Sequence, residues 1–257
     1  MPATMSISAI RRDLTSQDAE TLAQGLRRLA LMLGTDAVTN LPPPDYAERK
    51  AALGQQESRL LELSNHGDEA VRELAADCLA AWLGEPALAR LLELTQDPVE
   101  RVRASAVGAM DQFPHSDAAR EALLGAVDAP QWTVRMRAAR ALWPFAGLEV
   151  EDALFDALLD PDSYVRMNAA ESLKRRDPES LLVRLRSLHD HPAPHMLDSA
   201  MDLLGAIGTL EDAKFLEKAG SWLNLSQPAF VRAWSRKAAK DIRQRLTGKS
   251  AQDQTNR

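Results

Sequence analysis

The chain has 257 residues, 45% of them hydrophobic, with 12 glycines, a single cysteine and a net charge of −6. That is enough apolar material for a sizeable core and excludes wholesale disorder. The acidic balance disfavours a nucleic-acid partner, whose phosphates usually call for a basic surface, and one cysteine excludes an intrachain disulfide.

A lone cysteine suits a reducing compartment, so a cytoplasmic protein is expected. Met1–Leu14 has no apolar segment of the secretory kind, and no run of 18 apolar residues marks a membrane span.

The first amphipathic segment, Ser16–Leu33, predicts a helix that covers the open end of a repeat array, as terminal units must. Leu41-Pro42-Pro43-Pro44 then breaks the chain. Beyond it a Val-Arg pair recurs, at Val71-Arg72, Val102-Arg103, Val134-Arg135, Val165-Arg166 and Val231-Arg232. The first three steps are 31, 32 and 31 residues, the period of a helix-pair repeat. Another 31 residues on, Met196-Leu197 keeps the apolar member and loses the arginine, and the last step is 35.

Each marker has a proline three or four residues before it, at Pro98, Pro130, Pro161, Pro192 and Pro228, with Gly67 standing there in the first repeat. Small or apolar residues follow four and eight positions on, as in Ala75 and Leu79 or Ala138 and Leu142. That spacing keeps one face of a helix against a neighbour. The proline suits a first helical position, and Asp97 and Asp160 just before it read as N-caps. Each marker therefore opens a second helix, B. A first helix, A, precedes it: one within Tyr46–Ser64, then Glu85–Gln96, Asp117–Val127, Leu148–Leu159, Asp177–His189 and Leu210–Trp222. The expected organisation is a helical cap and linker over 1–41, six A–B pairs over 42–247 and a polar tail over 248–257, an all-α solenoid.

The run Asp97-Pro98, Val102-Arg103, Ala106, and the matching run Asp160-Pro161, Val165-Arg166, Ala169-Ala170, resemble the HEAT-like repeats grouped with the phycobilin lyase family. The resemblance spans roughly residues 65 to 240. It implies a right-handed superhelix with the B helices on the concave side. It does not by itself choose a function, since such repeats serve many.

Catalytic signatures are absent: there is no Gly-x-Ser-x-Gly, His-Glu-x-x-His or Gly-x-Gly-x-x-Gly. The marker arginines read as a structural ladder, bridging to turn carbonyls and to an acidic column at Asp68, Asp97, Asp128, Asp160 and Asp190. His189, His191 and His195 crowd one turn with Asp190 and are the candidate metal ligands, although two prolines limit their convergence. Cys78 reads as a small buried apolar residue. Trp82, Trp132, Trp143 and Trp222 read as inter-repeat packing, and Trp234 falls off the apolar face of its helix.

On the family geometry, positions two, three and six after each marker look into the groove. Met136, Arg137, Arg140, Met167 and Asn168 are expected to form the centre of a partner site, flanked by Glu171 and, on the last B helix, Trp234. Adaptable apolar side chains among charges of both signs suit a protein or peptide partner. Charge reversal at Arg137 and Arg140 is then expected to abolish capture and leave the melting temperature unchanged. The leading function is a non-catalytic protein-binding scaffold or adaptor, with no cofactor. Two alternatives are a bilin-lyase-like enzyme or chaperone, and a DNA-binding helical-repeat enzyme using Trp132, Arg135, Arg137 and Arg140.

Overall fold

Every regular element is helical, and no strand occurs among the described residues. The computed structural model describes residues 7–33, 56–82, 84–176, 178–188, 197–221 and 228–255. The Pro42–Pro44 break, Trp222, Asp190 and the candidate metal ligands His189, His191 and His195 lie outside them. The chain divides into two units, Met1–Phe145 and Ala146–Arg257.

The first unit holds α1 (Ile7–Asp13), α2 (Ala19–Leu33), α3 (Glu57–Leu63), α4 (Glu69–Leu79), α5 (Glu85–Leu94), α6 (Glu100–Ala109), α7 (Asp117–Ala126) and α8 (Trp132–Ala141). The second holds α9 (Leu148–Ala157), α10 (Ser163–Leu173), α11 (Pro178–Ser187), α12 (Asp198–Ile207), α13 (Leu210–Ala219) and α14 (Ala229–Thr255). A and B helices alternate from α3 onward. Within the first unit the B helices stack in sequence, α4 on α6 and α6 on α8, and each also packs on its own A helix. The N-terminal segment extends this order. Helix α2 packs on α4 as α4 packs on α6, with α1 against it, so it occupies the place of a B helix.

The register of the repeat is the register of the core. Val71, Ala75 and Leu79, then Val102, Ala106 and Met110, then Val134, Ala138 and Leu142 are all buried, and Val165, Ala169 and Leu173 repeat the set in the second unit. Alanine at the middle position lets the helices approach, and the larger residue one turn on fills the gap beside it. In the last repeat Ser235 takes the alanine position; its buried hydroxyl donates to the Val231 carbonyl at 2.9 Å.

The turns differ from the expected cap. Asp97 and Asp160 do not cap the B helices: α6 begins only at Glu100, with Val99 as its N-cap, and α10 at Ser163, with Asp162. Instead Asp97 Oδ1 accepts from the Val99 amide and Asp160 Oδ1 from the Asp162 amide, both at 2.8 Å. That is the i-to-i+2 closure of an Asx turn. Among the B helices α4, α6, α8, α10 and α12, the side-chain caps are Asp68 and Asp162, each taking two amides of the following turn. The physical reason is the marker arginine. Arg103 Nη1 donates to the carbonyls of Asp97 and Pro98 at 2.7 and 3.0 Å, Arg135 Nη1 to Ala129 and Pro130, and Arg166 Nη1 to Asp160 and Pro161. Those carbonyls point at a guanidinium, so the proline stays in the turn and the helix starts after it.

Arg72, which donates to the carbonyls of His66 and Gly67, Arg103, Arg135 and Arg166 thus each tie together the turn of their own repeat. Arg72 and Arg166 also reach the next. Arg72 takes Asp97 in a bidentate pair at 2.8 and 3.1 Å, and Arg166 takes Asp198 at 2.8 and 3.0 Å. Such forked, charge-assisted pairs are the strong kind. The fifth repeat breaks register. Leu197 is buried as the N-cap residue of α12, and Asp198, just after it, supplies the acid that Arg166 needs. At the head of the second unit Gly147 holds φ at 128°, and the chain turns there into α9. Residues with a Cβ resist that conformation.

Candidate functional site

In the first unit the opening turns of α4, α6 and α8 lie side by side and leave a groove of about 410 Å³. Its floor is apolar, formed by Val99, Ala104 and Met136. Its rim carries Glu69 and Glu73 from α4, Glu100 and Arg101 from α6, and Arg137 from α8. The period explains the arrangement. Residues one repeat apart occupy the same position on stacked helices, so Glu69 and Glu100, or Glu73 and Ala104, become neighbours across the groove.

The rim charges are largely committed to one another. Arg101 bridges Glu69 at 2.5 Å and Glu73 at 3.2 Å, while half exposed. Such an exposed pair contributes little to stability and is readily displaced. Glu100 accepts a hydrogen bond from the neutral hydroxyl of Thr133. Arg137 lies across α6 at Gly108, where an added Cβ would stand 3.3 Å from its Cδ. There its charge faces Asp77 and Asp111. Burial raises the Asp77 carboxyl to about 6, and the Arg137 charge and the Ser105 hydroxyl hold it down only in part. Burial raises Asp111 too, against Gln112, Arg140 and Arg137.

That geometry corrects one expectation. The charge of Arg137 faces the half-buried carboxylates of Asp77 and Asp111, and that of Arg140 faces Asp111, so charge reversal is expected to act on the fold as well as on capture. Arg137→Glu should place a third carboxylate beside Asp77 and Asp111 and lower the melting temperature at pH 7.5. A thermal melt checks this, and the loss should shrink at pH 5, where Asp77 is largely protonated.

Of the residues singled out from sequence, Met136 and Arg137 line this groove, and Arg140 follows one turn on along α8. Met167, Asn168 and Glu171 belong to the second unit, on α10. Met167 is 55% exposed, Asn168 Nδ2 donates to the Tyr164 carbonyl at 2.8 Å, and Glu171 pairs with Lys174 at 2.8 Å. Trp234, on α14, meets Phe230 edge-on with ring centres 5.1 Å apart. Trp132 and Trp143, read from sequence as inter-repeat packing, are 41% and 37% exposed, so each is only partly covered. Cys78 is fully buried, its sulfur 3.6 Å from the Leu26 carbonyl oxygen, and burial pushes its thiol well above the usual range. A covered, protonated thiol is no nucleophile. Glu69, Glu100 and Arg101 were not foreseen, because acids in the first turn of a helix ordinarily complement its dipole. The recurrence of Glu69 and Glu100 at the repeat period was the signal available for the acids.

No group of three or more potential metal ligands comes together among the described residues. Nor is any described helix long and apolar enough to cross a membrane.

Comparison with known proteins agrees with this architecture. No curated protein matches the chain. Among solved structures, an engineered protein is 21% identical with a TM-score of 0.54, over 79% of this chain and 98% of its own. A designed armadillo repeat protein, solved in complex with the peptide (KR)4, is 19% identical with a TM-score of 0.53, over 79% and 99%. The CpcE–CpcF complex of phycocyanin lyase from Nostoc sp. PCC7120 gives 16% identity and a TM-score of 0.52, over 92% and 94%. At identities this low the likeness is one of fold. The family model for HEAT repeats, in contrast, matches residues 57–147 and again 148–240, the stretches that carry the Val-Arg register and its ladder of turns, so the chain belongs to the HEAT-repeat family.

Proposed function

We propose that the protein is a non-catalytic scaffold that holds a protein or peptide segment in the groove across α4, α6 and α8. The observation that carries this reading is the groove itself, an apolar floor of Val99, Ala104 and Met136 inside a rim of charges of both signs. Small apolar side chains of a partner fill such a floor, and the rim selects polar neighbours. Stacked helical repeats suit extended chains, and the designed armadillo neighbour was solved with a peptide bound. On this reading Met136 and Arg137 touch the partner, with Arg140 next to them. Met167, Asn168, Glu171 and Trp234 form further contact points on the second unit.

The same geometry speaks against the enzymatic alternatives. A phosphate backbone needs uncommitted cations on an open basic face, whereas Arg135 serves its turn carbonyls and the groove beside Arg137 is rimmed by Glu69, Glu73 and Glu100. Covalent handling of a bilin through Cys78 meets a buried thiol.

Met136→Glu puts a charge on the groove floor without removing any pair. Peptides selected from a display library against the wild-type protein should lose roughly tenfold or more in affinity for this variant, with its melting temperature unchanged. Selected peptides that bind both proteins equally would remove the groove from the proposal. A library that yields no binder would count against the scaffold reading as a whole.

A further inference from the structure

Helix α14 carries seven basic and two acidic residues between Ala229 and Thr255, in a chain of net charge −6. The helix therefore contributes +5, and the rest of the chain −11. Arg232, Arg236, Lys240 and Arg243 follow at intervals of four, four and three, which places them on one helical face.

Part of that face meets the end of α13 along a second groove, of about 730 Å³, whose lining includes Glu217, Gly220, Arg236, Lys240, Arg243 and Thr247. Gly220 permits the approach. A Cβ there would stand 2.8 Å from Arg236 Cγ and 3.0 Å from the Arg232 carbonyl oxygen. Two guanidiniums are held in place along the groove. Arg236 Nη1 donates to the Gly220 carbonyl, and Arg243 donates to both carboxylate oxygens of Glu217, at 2.8 Å through Nη2. Each guanidinium has five N–H groups, so neither is exhausted by these bonds. Lys240 lies between them in sequence, exposed, and makes no hydrogen bond or ion pair among the described residues.

We propose that the α13–α14 groove docks an acidic peptide segment, whose carboxylates pair with Lys240 and with the remaining N–H groups of Arg236 and Arg243. The pre-positioned guanidinium forks match planar carboxylates, and their anchoring by Gly220 and Glu217 lowers the ordering cost of binding. Charge complementarity over distance decides the class of anion. A nucleic acid runs far beyond the screening length of about 8 Å. It therefore meets the net −6 that the rest of the second unit carries (9 basic and 15 acidic residues outside α14). A short acidic segment feels only the local positive field. This site shares no residue with the groove of the first unit and stands or falls separately from it.

Fluorescence anisotropy of labelled octaglutamate on the full-length chain tests the proposal, with octalysine and a single-stranded oligonucleotide as competitors. Octaglutamate should bind at about 50 mM salt and weaken steeply by about 200 mM. Lys240→Glu should weaken it roughly tenfold, with an unchanged melting temperature, since that exposed side chain makes no hydrogen bond or ion pair among the described residues. Met136→Glu should leave octaglutamate binding as it is. No binding of octaglutamate, or binding equal in the wild type and Lys240→Glu, overturns the site. Tighter binding of the oligonucleotide, itself lost in Lys240→Glu, overturns the peptide assignment.

Discussion

Replacing Arg166 by alanine should cost the second unit about 2–3 kcal/mol, among the largest effects of any polar substitution in the protein. Arg166 is only 7% exposed, yet carries a full charge. It satisfies that charge in two directions at once, to the turn carbonyls of Asp160 and Pro161 and to both oxygens of Asp198. Alanine leaves those carbonyls and the Asp198 carboxylate without the donor they are arranged around. The cost falls below that of a fully buried pair because Asp198 is a third exposed and can recover water. For a chain of this size the loss corresponds to a fall of roughly 5–10 °C in melting temperature. The pH dependence has a definite sign. Arg166 holds the Asp198 carboxyl below its usual value, against burial, which pushes it up. The stabilisation is therefore complete above the unfolded value near 3.8 and lost as pH falls through the lower folded one, so the gap between wild type and Arg166→Ala should narrow in acid. A constant gap from pH 7 to pH 3 would show that the lost packing, rather than the ion pair, is what the melt reads.

The second large effect runs the other way. Asp77→Asn should stabilise the first unit by about 2 kcal/mol at pH 7.5. Here the folded state raises the carboxyl, to about 6 from 3.8, because burial outweighs Arg137 and Ser105. A raised folded value means that the folded protein holds its proton longer than the unfolded chain does. Stability is then greatest below about pH 4 and falls as pH rises through 6, where the folded state must carry the charge. Asparagine keeps the size and removes the charge. Its advantage should be absent at pH 4, grow through pH 5 and 6 and level off above 7. An advantage independent of pH would mean that the carboxylate is not the source.

The groove was half legible before the fold was known. Met136 and Arg137 follow from the register, since positions two and three after a marker share a helical face. Glu69, Glu100 and Arg101 share that register two and one residues before it, but a first-turn acid looks the same whether it serves a helix dipole or a groove rim. Arg137 was legible as a charge in the right place. That its charge acts on Asp77 was not, because Asp77 lies two repeats earlier and comes within range only across α6, where Gly108 leaves room.

The repeat period, the A–B alternation and the buried set at the marker, plus four and plus eight were all written in the amino-acid order. They depend on spacing along one helix, and spacing survives without knowledge of any neighbour. The turns were decided elsewhere. Asp97-Pro98 reads as a helix start by local rules, and becomes an Asx turn because Arg103, from the following helix, claims the turn carbonyls, and Arg72, from the repeat before, claims the carboxylate. The same holds for α2, an end cap by its sequence and a further B-type helix by its packing on α4. Arg72 for the Asp97 carboxylate and α4 for α2 are partners brought from another repeat, and only the stacking of the helices supplies them.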